Sequence, residues 1–247
     1  MRSPKSGVFY GVTKSSIARK LDVWKDELCN LDNSDYIIDG ITNGFHISSL
    51  EKVTDIPQVE VKNHTSAYKY SALVEKELLK QIELGNYICT CVKPNVVSPL
   101  GAILKDNGCD VRLIHDGSVP HGKSMNDYAD QMTVEYQHLQ EAASLTKTGY
   151  YMCKIDLKSA YRSVPIHCED YRLTGLKWHF QGDDEATYLF DVKLPFGSRD
   201  GPAIFQTLTR SVCDMMKRHG YPHTIVYLDD FSMQLRLMRN VPKLKKH

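Results

Sequence analysis

The sequence predicts an α+β fold organised around antiparallel sheet. Three observations point there. Helical and strand-like periodicities alternate irregularly along the 247 residues, without a regular strand–helix repeat. Asn107-Gly108 stands between two strand-like segments, the signal of a tight hairpin. A second hairpin is predicted around Asp229-Asp230, behind the β-branched run Thr224-Ile225-Val226.

The elements follow in order. Residues 1–15 are polar and predicted to fray. Residues 16–30 place Ile17, Leu21, Trp24 and Leu28 at helical spacing. A short helix is predicted from Ser34 to Ile41, stopped near Asn43-Gly44, and residues 46–64 read as irregular. A strong helix is predicted from Thr65 or Ser66 to Leu84, ended by Gly85-Asn86 and capped from Asn63 or His64. Strands are predicted at 87–92, 100–105 and 110–115, followed by a loop at 118–126 and a helix from Asn126 to Thr146. Then come strand 151–156, a helical piece at 157–161, strands near 172–179 and 186–193, and a helix at 201–219. The basic stretch from Asn240 to His247 is predicted to be disordered.

Composition narrows the classes. Hydrophobic residues make up 42% and charged residues 25%, which suits a water-soluble domain with a real core. Thirty-one basic residues nearly balance thirty acidic ones, so bulk charge does not announce a nucleic-acid partner, and any such argument rests on motifs. No apolar run approaches the ~20 residues that span a bilayer, and the first 20 residues lack a signal peptide's apolar centre. The expected location is cytoplasmic or nuclear, with no membrane partner. The seven scattered cysteines form no Cys-x-x-Cys pair and fit reduced thiols. His167-Cys168 and His179 have no spacing that fits a zinc site. The Asn63-His64-Thr65 sequon is read as chance.

Three segments carry chemistry. In Tyr227-Leu228-Asp229-Asp230, two adjacent carboxylates end an apolar strand. Like charges there repel and resist burial, and a divalent cation relieves both costs. An Asp-Asp pair also fits a plain hairpin tip. Upstream, Tyr151-Met152-Cys153-Lys154-Ile155-Asp156 delivers another acid at a strand end, where it could equally cap the following turn. If the two strands lie side by side, Asp156 and Asp229 can hold two hard cations ~3.5–4 Å apart, an arrangement suited to phosphoryl transfer. Oxygen donors in a partly open shell favour Mg2+, with Mn2+ as a substitute. The third segment, residues 194–206, is a glycine-bearing loop that opens a helix with Pro202 in its first turn. Small residues there admit a close neighbour, although a plain loop-to-helix junction reads the same way.

Together and in this order, the segments resemble the reverse transcriptase family. KIDLKSAY is similar to its motif A, LPFGSRDGPAIFQ to motif B and YLDD to motif C, while SPLGAILKDNGCDVRLIHDGS resembles its fingers hairpin. The resemblance covers about residues 85–233 and, more loosely, 16–84. Within the family, RLIHDGSVPHGKSMNDY, GITNGF at 40–45 and KIDLKSAYRSVPIH followed by GLKW resemble tyrosine-recombinase retrotransposons of the DIRS type; long-terminal-repeat retrotransposons are the alternative.

The resemblance implies a right-hand polymerase of fingers and palm, its antiparallel palm sheet backed by helices 128–146 and 201–219. It implies an N-terminal helical extension at 1–64, fingers and palm at 65–233 and a tail at 234–247. Asp156, Asp229 and Asp230 would hold two Mg2+ ions, with the Leu157 carbonyl as an added ligand. Tyr161 would lie under the incoming sugar and exclude a 2′-hydroxyl; alone it would read as a core aromatic. Lys105 and Arg112 would grip the triphosphate, where a planar guanidinium fork matches phosphate oxygens; alone they would read as solvated strand charges. Leu157, Ser159, Ala160, Phe196 and Gln206 would line the nucleotide, and Gly201 and Pro202 would shape the helix facing it. Asp116 would brace the fingers. The implied partners are an RNA or DNA template with its primer, and deoxynucleoside triphosphates.

Two features depart from the family pattern. Asp200 puts an acid in motif B where the pattern is small or neutral, which would weaken template contact. After Met233 only fourteen residues remain, so the sequence is expected to stop without a thumb. That leaves a catalytically inert retroelement remnant, or a nucleic-acid-binding module, as the alternative to an active polymerase. An RNA-templated RNA polymerase is disfavoured by Tyr161.

Overall fold

A computed structural model describes residues 17–49, 51–130 and 132–236. The expected frayed N-terminus and the basic tail from Asn240 lie outside them.

The first helices follow the predicted periodicity. A 3-10 turn at Ala18–Lys20 leads into α1 (Leu21–Leu28), and α2 spans Ser34–Asn43. Arg218 donates to the Cys29 carbonyl at 3.1 Å and His219 meets Glu27 at 2.9 Å, docking α1 on the end of the long helix described below. The helix predicted over 65–84 is divided into α3 (Thr65–Lys69) and α4 (Ser71–Glu83), with the break at Tyr70. The two parts serve different neighbours: α3 packs on β4 (Leu100–Leu104), and α4 packs on β2 (Tyr87–Thr90) and β5 (Val111–His115). No side chain caps α3. Asn63 instead accepts the Leu100 N–H at 2.9 Å and donates to the Lys177 carbonyl at 2.9 Å, tying two strands together.

Three sheets form. The largest has five short strands in the order β1 (Val59–Glu60), β3 (Val96–Val97), β7 (Gly175–Trp178), β8 (Thr187–Asp191), β2. Its β1, β3 and β7 run parallel, and β8 and β2 pair antiparallel. The β4–β5 hairpin turns at Asn107-Gly108 as predicted, with Gly108 at φ +66° and Asn107 accepting the N–H groups of Cys109 and Asp110. The third sheet is fully antiparallel, in the order β6 (Tyr150–Asp156), β10 (Asp230–Arg236), β9 (Thr224–Tyr227). Residues 234–236, expected to begin the tail, belong to β10.

The helix predicted from Asn126 to Thr146 is corrected. A Ser124–Asp127 capping box starts only a 3-10 turn at Met125–Asp127, and helix returns as α5 (Leu139–Leu145). Two forces explain the interruption. The Asp130 N–H donates to Asp200 at 3.0 Å, drawing the chain toward the start of α6 (Gly201–Arg218). Gln137 then accepts the Val226 N–H at 2.9 Å on the outer edge of β9, where no further strand completes the ladder. The β-branched pair Thr133-Val134 adds little helix propensity to oppose this. The sheet is therefore backed by α6 and by the short α5, whose Ala142 carbonyl and Thr146 hydroxyl receive Gln234.

Two main cores hold these layers. One joins Leu28, Ile37, Ile41, Phe45 and Ile47 to Ala160, Val164, Leu194, Ile204 and Phe205, so the N-terminal helices and α6 share one interior. The other places α3 and α4 over Tyr87, Leu100, Val111, Leu176 and Leu189. A buried ion pair links the two halves: Arg162 contacts Asp191, which is fully buried, and donates to the Tyr87 hydroxyl at 3.2 Å. Burial opposes the Arg162 charge, but Asp191 and then Tyr87 outweigh it and hold its pKa above the ordinary arginine value. All seven cysteines are unpaired, and no described helix is long and apolar enough to cross a membrane.

His115 on β5 is buried, and neither ring nitrogen has a partner. Burial first, then the Arg162 charge, pulls its pKa from 6.5 down to about 3. The native state therefore keeps His115 neutral while the unfolded chain protonates it below pH 6.5. Its contribution is intact above that pH and is lost as pH falls toward 3, by at most about 5 kcal/mol. His115→Leu is expected to keep neutral-pH stability, since no hydrogen bond is broken, and to flatten the acid limb. Thermal melts between pH 7 and pH 4 check this; an unchanged acid limb would refute it.

Candidate functional site

The β6–β10 register sets the site. Asp156, the last residue of β6, lies directly opposite Asp230, the first of β10. The Leu157 N–H donates to the Asp229 carbonyl at 3.2 Å, carrying the pairing one step beyond the sheet. All three aspartates thus meet at one end of the antiparallel sheet. Leu228 makes the turn at φ +54°, a backbone that a leucine adopts only under constraint. The constraint is Gln206 on α6. It is 2% exposed, its Oε1 accepts the Leu228 N–H at 2.9 Å, and its Nε2 reaches the Val226 carbonyl at 3.5 Å.

Asp156 is exposed, and Asp229 and Asp230 are partly so. Lys154 stands among them, its Nζ 3.0 Å from Asp230 Oδ1. Its pKa lies above the ordinary lysine value, first through the hydrogen bond to Asp230, then through the charges of Asp230, Asp156 and Asp229. Sequence reading did not single out Lys154, although strand alternation puts it on the same face as Asp156. Three carboxylates at one strand end are the hard oxygen donors that suit a divalent cation of the Mg2+ type, and a side-chain shift would bring their oxygens together, since they do not all lie within 4.8 Å of one another. Asp156, Asp229 and Asp230 are the residues that would hold it.

Beside the aspartates lies an aromatic floor. Tyr161 lies in the 3-10 turn Ala160–Ser163, opened by Ser159 at φ +56°, and meets Phe196 edge-on at 4.8 Å and Phe205 at 5.0 Å. Burial, then Tyr136 and Asp229, raises its pKa to about 12, so the ring is neutral and close to the acidic end. Phe196 is 64% exposed and Leu157 is 37% exposed, whereas Ala160 turns into the core. Tyr227 packs on Tyr136 at 5.0 Å.

The loop before α6 is held from outside. Asn126 donates to the Gly197 carbonyl at 2.8 Å and to Ser118, and accepts the Arg199 N–H at 2.8 Å. A side chain at Gly197 would sit 2.0 Å from the His115 carbonyl, so only glycine fits there. Asp200, expected to intrude on a template, is 3% exposed and receives the Asp130 N–H; its acid points inward.

The structure does not bring every candidate together. Lys105 and Arg112 lie on the β4–β5 hairpin, a different sheet from the aspartates. The Ile103↔Arg112 pairing puts both cations on one exposed face, with the Lys105 charge acting on Asp110. At the hairpin's base Asp116 meets His64 at 3.0 Å and accepts the Ser118 N–H. Gln206, expected to line the nucleotide, is 2% exposed and engaged with the 226–228 backbone. Its place one helical turn after Pro202 gives no hint of this, because the partner is backbone from another element.

The family model "Reverse transcriptase (RNA-dependent DNA polymerase)" matches residues 111–242. No curated protein matches the chain. Among solved structures it resembles the foamy viral protease-reverse transcriptase in complex with dsDNA, at a TM-score of 0.57 and 18% identity. The match covers 88% of this chain and 46% of that one, so the chain spans less than half of that protein's length. With more than half of its residues under the family model, and an α+β fold like that of a solved member, this chain belongs to the reverse transcriptase family.

Proposed function

We propose that the chain is the fingers and palm of an RNA-directed DNA polymerase from a retrotransposon, of the DIRS type by its sequence resemblance, adding deoxynucleotides to a primer 3′-end. The reading rests above all on the Asp156–Asp230 pairing with Asp229 beside it. In this reading residues 65–233 are fingers and palm and 1–64 an N-terminal helical extension, whose described helices α1 and α2 share a core with α6. Two Mg2+ ions, when bound, lower the pKa of the attacking hydroxyl and balance charge on the leaving pyrophosphate.

The chain's own residues do the rest. Asp156, Asp229 and Asp230, with the Leu157 carbonyl, would hold the ions, and Lys154 would release Asp230 to do so. Tyr161, propped by Phe205 and Phe196, presents an apolar ring to the sugar and excludes a 2′-hydroxyl sterically. Leu157 and Ser159 border that ring. Lys105 and Arg112 approach the triphosphate as the hairpin closes over it. Gln206 positions the Leu228-Asp229 turn and touches no substrate.

Primer extension on poly(rA)/oligo(dT) with Mg2+ tests the reading. Asp156→Asn or Asp229→Asn is expected to cost about a hundredfold or more, since a bound metal supplies several kcal/mol of charge stabilisation. Unchanged extension in either variant overturns the mechanism; metal binding without extension by the wild-type chain favours the inert remnant. Tyr161→Ala is expected to raise ribonucleotide incorporation roughly ten- to hundredfold relative to deoxynucleotide, read from paired kcat/KM values. Gln206→Leu is expected to cost about 1–3 kcal/mol in urea melts, because the Leu228 N–H loses its acceptor, and to lower kcat while nucleotide KM stays put. A KM effect instead would return Gln206 to the nucleotide site.

A further inference from the structure

Among the described residues, one group of three side chains brings metal-ligating atoms within 4.8 Å of one another, and it lies away from the aspartates: His46, His167 and Glu169. Its origin is a parallel bridge between Phe45 and Ile166. The Phe45 N–H donates to the Pro165 carbonyl at 3.0 Å and the His167 N–H to the Phe45 carbonyl at 2.9 Å. Parallel pairing brings the following residues side by side, so the two imidazoles overlap with centroids 4.0 Å apart and planes 32° from each other. His167 Nδ1 meets the Glu169 N–H at 3.3 Å and Glu169 Oε2 at 3.8 Å.

A buried carboxylate lies beside these rings. Asp170 is 1% exposed, and its partners are the Ile47 N–H at 2.8 Å, the Ser48 hydroxyl and, at 3.4 Å, His46 Nδ1. That nitrogen is itself buried and makes no hydrogen bond. The carboxylates of Glu169 and Asp170 flank the two rings, and one divalent ion would offset their charge.

We propose that His46, His167 and Glu169 form a structural site for a borderline divalent metal, Zn2+, with water as the fourth ligand and Asp170 as the outer carboxylate orienting His46. Imidazole with carboxylate suits Zn2+ at bond lengths near 2.0–2.2 Å, and a carboxylate behind a ligating histidine is the usual second partner. Glu169, 63% exposed, is free to swing the remaining distance. The ion would staple the 45–48 segment, and with it α2, to the chain leaving the Tyr161 turn. His179, grouped with His167 on sequence grounds, is held elsewhere by the Asp183 carbonyl at 2.8 Å.

The test uses the metal-free full chain titrated with Zn2+ against a chromophoric chelator, with Co2+ as the spectroscopic probe. One Zn2+ per chain is expected, with a zinc-dependent rise in Tm and a Co2+ spectrum lacking a thiolate charge-transfer band. His46→Gln and His167→Gln should each weaken binding about a hundredfold and Glu169→Gln about tenfold, while Cys168→Ser leaves it unchanged. Glu169→Gln alters an exposed side chain, so its apo melt should match wild type. The proposal is overturned by no uptake, by uptake indifferent to both histidines, by a thiolate band, or by uptake lost in Asp156→Asn with Asp229→Asn.

Discussion

The pairing of β6 with β10 is the constraint on which the site depends. Side chains alternate across a strand, so a slip of one residue would send Asp156 and Lys154 to the face opposite Asp230. Phe231↔Ile155 and Ser232↔Lys154 fix the same register along the ladder. Phe231 is buried with Val226 and Cys213 against α6, so a slip would also expose a core residue. The energy that keeps acids opposed is thus apolar burial a residue away. Gln206 finishes the task at the turn, where no ladder hydrogen bond can reach.

A second dependence runs through Arg162. It follows Tyr161 directly, yet its guanidinium is buried against Asp191 in a different sheet. The aromatic floor beside the aspartates and the five-stranded sheet are therefore joined by a charge pair that neither half could bury alone. Removing one partner would leave a bare charge in the interior, the costly way to break such a pair. The short β7 and β8 strands gain rigidity from this link that their length would not supply.

Much of this was legible in the sequence, for identifiable reasons. Alternation and the Asn-Gly turn gave β4, β5, β6 and β9, because those signals are local. The aspartates could be grouped because strand ends and turn residues mark where a sheet delivers its side chains. What escaped notice depends on distant partners. The 126–146 stretch has helical composition, but Asp200 and the open edge of β9 each claim a piece of it. Asp200 looked like a surface acid because nothing nearby in sequence shows the Asp130 N–H that it receives. Gln206 read as a nucleotide contact because its true partners are main-chain atoms. His46 could not be joined to His167 without the bridge between Phe45 and Ile166.

Lys154 carries a consequence for how the acidic end exists at rest. Three carboxylates gathered at one strand end would push their strands apart if left bare. With an ammonium 3.0 Å from Asp230, the sheet closes around a cation of its own. On the proposed reading, metal entry at this end would be an exchange and not a filling: an incoming ion would displace a tethered, flexible charge into solvent. The tether would keep that charge at hand whenever the ion left, a placeholder built into the strand itself.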